Sequence, residues 1–199
     1  MLGELRSAGI DTGDFGSFGR AAPAPFGHAD AAPILLRWLP QIDDTRVRES
    51  IVRSLTEEPV ARELGAARVL VGEFPRSSDD DSTRWAIGNA LATLADASVA
   101  DDVIRLLRDR RYGAARQMLC DALKRTGDPR APAVLVELID DDEVAGHAVS
   151  ALRSYGPRKA VPLLREAKPR LEALAARSTA TAFAHTQAER ALAQVAAAG

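Results

Sequence analysis

The stretch Asp128 to Gly156, DPRAPAVLVELIDDDEVAGHAVSALRSYG, decides the fold. Its first half is an apolar segment, Ala131 to Ile139, with Pro132 near the start. That is where a helix tolerates proline, because the missing N–H would have no partner in the first turn. Its second half opens on the acidic run Asp140 to Glu143. From there Ala148, Ala151 and Leu152 lie three, six and seven positions beyond Ala145, the spacing of one helix face. Gly127 before the stretch and Gly156 at its end are helix stops. The stretch therefore reads as a helical hairpin bracketed by glycines.

Working outward, the second half recurs. Its pattern is Asp, two residues, a small or apolar residue and Arg, followed by apolar positions three, six and seven after the Arg. Asp44 to Arg48 leads to Ile51, Ser54 and Leu55; Asp80 to Arg84 leads to Ile87, Ala90 and Leu91, with Leu94 one turn on. Tyr112 to Arg116 leads to Leu119, Ala122 and Leu123, and a degenerate copy runs from Thr181 through His185 to Ala188, Ala191 and Leu192. A period of roughly 30 to 40 residues is that of helical-repeat arrays. Each copy follows a second amphipathic segment: Ala32 to Leu39, a less regular one around Val60 to Phe74, Val99 to Leu107, Pro132 to Ile139, and Val161 toward Arg177.

Asp-x-x-Val-Arg, Ala-Leu, a closing Gly, then Asp-Pro-Arg and a proline-containing helix together resemble the HEAT repeat, above all its short bacterial, PBS-lyase-type form. The resemblance covers roughly residues 28 to 197. It implies an all-α fold, an α-α superhelix: a HEAT-like solenoid of about five hairpins over residues 28–199. Residues 1–27, with Gly13, Gly16, Gly19, Pro23 and Pro25, are expected to form an amino-terminal cap, and the Ala-rich end a carboxy-terminal one. The resemblance also implies a structural ladder of matching Asp and Arg residues, here Asp44, Arg48, Asp80, Arg84, Arg116 and Asp141, tying neighbouring repeats together. Independently of it, Asp44, Asp80 and Asp141 stand where an N-cap belongs.

Composition limits the function classes. With 199 residues, 46% hydrophobic and only 5% aromatic, the chain can bury a core of stacked helices. A net charge of −2 provides no overall field for phosphate backbones, so nucleic acid is not expected as a partner. No apolar run spans a membrane and the amino terminus lacks a signal-peptide pattern, so the expectation is a cytoplasmic protein; polar capped ends favour a monomer. The one cysteine, Cys120, reads as a packed thiol. The acidic clusters Asp79 to Asp81 and Asp140 to Glu143 lack the Gly and terminal Glu of a calcium loop; each lies at a helix start, where negative charge is favoured anyway. His28, His147 and His185 lie in different repeats. Gly13-Asp14-Phe15-Gly16 has no accompanying phosphate loop or catalytic loop. No catalytic residue, metal or cofactor is expected.

The second helices are expected to line a concave surface. Positions five, nine and twelve after the Asp slot fall opposite the apolar set on a helical wheel. They are Glu49 and Arg53; Trp85, Asn89 and Ala92; Gln117, Asp121 and Lys124; Gly146, Ser150 and Arg153. This ridge is mixed in charge and lacks the Lys/Arg and stacking aromatics of a nucleic-acid groove. The expected function is a non-catalytic scaffold or adaptor binding another protein or peptide there, with Arg53, Trp85, Asn89, Asp121, Lys124 and Arg153 as contact residues. The alternatives that the resemblance brings are a bilin-lyase-like accessory protein and a DNA-glycosylase-like enzyme.

Overall fold

The structure, a computed structural model, describes residues 1–7, 30–57, 59–77 and 81–198. His28, the Gly13 to Gly16 segment and the Asp79 and Asp80 positions lie outside the described residues. The chain forms two compact units, Met1–Val99 and Ala100–Gly199. Both are all-α, with no strand among the described residues.

The first unit contains α1 (Leu2–Ser7), α2 (Ala31–Trp38), α3 (Thr45–Glu57), α4 (Pro59–Glu63), α5 (Ala66–Arg76) and α6 (Asp81–Leu94). Helices α2 and α3 form one hairpin. Helices α4 and α5 together supply the first arm of the next, and α6 its second arm. Helix α1, the described part of the expected cap, lies on α2: Leu5 is buried, and Glu4 accepts from the Trp38 indole (2.7 Å) and the Arg37 guanidinium (2.5 Å). Trp38 thus lies half-buried at the α1–α2 contact.

The second unit contains α7 (Ala100–Arg108), α8 (Leu119–Thr126), α9 (Ala131–Glu137), α10 (Ala145–Arg153), α11 (Pro157–Glu166), α12 (Lys168–Ala176) and α13 (Ala182–Ala196). The first arms are α7, α9 and the α11–α12 pair; the second arms are α8, α10 and α13. The single long helix expected from Val161 toward Arg177 is divided at Ala167. Pro169, in the first turn of α12, cannot donate a hydrogen bond back across that junction.

The apolar set of the repeat forms the core. Ile51, Leu55, Ile87, Ala90, Leu91, Leu119, Ala122, Leu123, Ala148, Ala151, Leu152, Ala188 and Ala191 are all buried, and so is Ser54; Leu192 alone is half-buried. A fully buried leucine or isoleucine contributes about 1.5–3 kcal/mol through removal from water, so these positions dominate the cohesion of each hairpin. The third copy departs locally from expectation. A second helix beginning near Tyr112 is expected, but residues 110–116 form a tight 3₁₀ stretch broken at Gly113 (φ 48°, ψ −137°), and α8 begins only at Leu119. Side-chain-bearing residues avoid that backbone conformation, and glycine permits it. The cap there is Asp109, which accepts from the Arg111 amide at 3.1 Å. Gly127 closes α8 in the left-handed region (φ 72°), as the glycine stop requires.

Candidate functional site

The two residue sets expected from the sequence are the ladder and the second-helix ridge. In the ladder, Arg116 is 1% exposed and fully engaged. Its Nη1 donates to the Leu107 carbonyl (2.8 Å) and to Asp141 Oδ2 (2.9 Å), its Nη2 to Asp141 Oδ1 (3.4 Å), and its Nε to the Gly113 carbonyl (2.9 Å). Burial alone would raise the Asp141 carboxyl. The Arg116 hydrogen bond and charge, the Glu143 amide and the nearby Arg110 outweigh it and hold the group below the usual carboxylate range. Asp141 thus caps the turn ahead of α10 and neutralises the arginine of the preceding repeat.

Arg48 repeats this geometry in the first unit with a different carboxylate. It too is buried, and it donates to a carbonyl nine residues back, that of Leu39 (3.4 Å), and to a carboxylate 25 residues on. For Arg116 the carbonyl and carboxylate stand at the same separations. The carboxylate facing Arg48 is Glu73 on α5 (2.8 Å), supported by Ser77 and by Arg76, which donates to Glu73 Oε1. Neither Glu73 nor Ser77 belongs to the sequence pattern; the shared separation of 25 residues is the signal that finds Glu73. Asp44 is an exposed cap: its Oδ1 accepts from the Arg46 and Val47 amides, each at 3.0 Å. Arg84 is buried, at 8% exposure. His185, in the arginine slot of the last copy, bonds through its ring to the Arg177 carbonyl instead (2.7 Å).

The ridge residues do not form an open strip of solvent-facing side chains. In the second unit α10 packs against both α8 and α13, and the ridge positions lie along those seams. Gln117 donates to the Glu143 carbonyl (2.9 Å), Lys124 to Ser154 Oγ (2.6 Å) and Arg153 to Gln187 Oε1 of α13 (2.7 Å). A Cβ on Gly146 would stand 2.7 Å from the Phe183 ring and 3.0 Å from the Ala184 Cα, so only glycine lets α13 approach this closely. Asp121 is half-buried, and its burial pushes its carboxyl up against the opposing pull of Lys124 and His147. Burial likewise pushes His147 down, while Asp121 pulls it up; the Phe183 ring lies 4.8 Å away. The expectation of a solvent face fails here for a geometric reason. A second helix in a stack has its own first helix on one side and the next second helix on another, so the wheel position opposite the core meets a neighbour.

In the first unit α3 and α6 pack together, and Ser82 donates to Glu49 Oε2 at 3.0 Å. Arg53 is exposed and pairs with Glu49 one turn back (2.5 Å). Asn89 is half-buried. Trp85 is 45% exposed on α6, although Ile87, Ala90, Leu91 and Leu94 of the same helix are buried. Cys120 is completely buried, which pushes its thiol up, away from thiolate chemistry. Among the described residues no group of His, Cys, Asp and Glu is disposed to hold a metal ion, and no helix is long and apolar enough to cross a membrane.

Residues 69–153, from within α5 to the end of α10, match the family model for HEAT repeats. This stretch carries HEAT repeats. The matched stretch contains Glu73, Arg84, Arg116 and Asp141, whereas Asp44 and Arg48 precede it. No curated protein and no solved structure matches the chain. HEAT repeats generally serve as protein-interaction scaffolds and are typically non-catalytic.

Proposed function

We propose that this HEAT-repeat protein is a non-catalytic scaffold or adaptor that binds another protein, or a peptide segment of one, along its second helices. The observation that carries the reading is Trp85. A half-exposed indole on a helix whose other large apolar residues are buried gives a partner a broad apolar contact with a polar edge, the residue type that most often dominates interface energies. Arg53 and Asn89 complete the contact set in the first unit. In the second unit Asp121, Lys124 and Arg153 contribute through the parts of their side chains that the seams leave open.

The test is site-specific photo-crosslinking. A photoreactive amino acid at position 85 is expected to yield a discrete cross-linked protein in cells. The same probe at Arg105, an exposed residue of the first-helix side, is expected to yield none. Equal or absent labelling at the two positions would overturn the proposed face.

A further inference from the structure

At one edge of the second unit, five cations gather with no close ion pair among the described residues; Asp121, one turn before Lys124, is a half-buried carboxyl that feels the Lys124 charge. Lys124 and Arg125 lie in the last turn of α8, Arg153 ends α10, and Arg158 and Lys159 open α11. The half-buried Tyr155, in the turn between α10 and α11, draws two of them together. Its ring centroid is 4.4 Å from Lys159 Nζ and 5.9 Å from Lys124 Nζ. The side-chain hydrogen bonds of Lys124 and Arg153 go to neutral groups, Ser154 and Gln187, and Arg153 Nε is buried with no hydrogen-bond partner among the described residues. Within the described residues none of the five cations lies within 4.0 Å of a carboxylate oxygen. Several other arginines of the unit are answered: Arg108 by Glu137, Arg130 by Asp101 and Asp128, Arg170 by Asp140, and Arg177 by Asp142.

Helix stabilisation explains three of these five cations. Lys124, Arg125 and Arg153 stand at helix C-termini, where positive charge is favoured. Arg158 and Lys159 stand in the first turn of α11, the positive end of its dipole, where they oppose the helix and repel their neighbours. The ring of Tyr155 offsets part of that cost for Lys159. An arrangement that works against its own helix is accounted for by an anion supplied from outside.

We propose that this edge docks an acidic, extended peptide segment of a partner protein, whose carboxylates meet Lys124, Arg153, Arg158 and Lys159 over Tyr155. The inference rests on the scaffold reading and names the chemistry of the partner. A single-stranded nucleic acid needs stacking platforms, and Tyr155 is already engaged by two ammonium groups. A lipid surface needs exposed apolar anchors, and the large exposed apolar residues of the described chain, Leu2, Leu64, Trp85 and Phe183, lie outside this 154–159 turn.

The experiment is fluorescence anisotropy of a labelled deca-glutamate peptide with the full chain. Binding is expected at low ionic strength, weakening steeply toward about 150 mM salt, where charges more than about 8 Å apart are screened. Lys124→Glu/Lys159→Glu is expected to weaken it by about tenfold or more. Arg105→Glu/Arg108→Glu, an equal charge change on exposed residues of α7, is expected to leave it within about twofold. The milder Lys159→Gln, at an exposed side chain, should give an intermediate loss. Equal weakening by the two charge-reversed pairs, no binding by wild type at low salt, or tighter binding of an oligothymidine or a phosphatidylserine vesicle would each overturn the proposal. If position 85 cross-links a protein while deca-glutamate does not bind, this inference falls and the scaffold reading stands. If deca-glutamate binds and position 85 gives no product, the Trp85 face falls instead.

Discussion

Replacing Asp141 with Asn tests the ladder most directly. The substitution keeps size and one acceptor oxygen but removes the charge, leaving the Arg116 guanidinium at 1% exposure with only the Leu107 and Gly113 carbonyls and an amide around it. Removing one partner of a buried ion pair costs about 3–5 kcal/mol, because the survivor is a buried, unanswered charge. The retained acceptor and the two carbonyls set the expectation at the lower end, about 3 kcal/mol. With a urea slope of about 2 kcal/mol per molar, the unfolding midpoint followed by circular dichroism should fall by about 1.5 M. The pH dependence supplies an internal control. The Asp141 carboxyl is held below its unfolded value, so its contribution is fully present above about pH 4 and is lost as pH falls through the lower folded value. The gap between wild type and Asp141→Asn should therefore be constant near neutrality and narrow in acid. Arg116→Met/Asp141→Leu, which removes both charges and fills the space, should recover to within about 1 kcal/mol of wild type. A single-variant loss below about 1 kcal/mol, or a double variant no better than the single, would refute the argument that the pair is held by mutual burial.

Three further outcomes are expected. Glu73→Gln should destabilise the first unit by about 3 kcal/mol in the same urea assay, because Arg48 is buried against it; an effect no larger than that of an exposed Glu→Gln would remove Glu73 from the ladder. Gly146→Ala should lower stability by about 1 kcal/mol: the clash with Phe183 and Ala184 costs roughly 1–3 kcal/mol and exceeds what alanine contributes in a helix, and Phe183→Ala in the same chain should restore most of the loss in thermal melts. Cys120 should resist alkylation by iodoacetamide at pH 8 in the native protein and react at once in denaturant, since burial suppresses both access and the thiolate; rapid native labelling would contradict the packing of α8.

The sequence by itself determined which residues face the core and several of the helix ends, but not the late start of α8 or the division at Ala167. At about 100° per residue, positions three, six and seven after the repeat arginine share a face in every copy, so Ile51, Ile87, Leu119, Ala148 and Ala188 are buried for a local reason. The caps at Asp44 and Thr181 and the stop at Gly127 are equally local, set by the backbone amides and carbonyls next to them. Only the tertiary structure decided what lies across the gap between hairpins. Arg48 meets Glu73 of α5 whereas Arg116 meets Asp141, because the separation of successive hairpins, and not the spacing within one helix, sets which carboxylate reaches a buried guanidinium. The same cause turned Gly146, Gln117 and Arg153 toward neighbouring segments while leaving Trp85 exposed. It also brought Lys124 and Lys159, 35 positions apart in sequence, to the ring of one tyrosine. A helical wheel describes one cylinder, and the surfaces open to a partner are those left uncovered when several cylinders are packed.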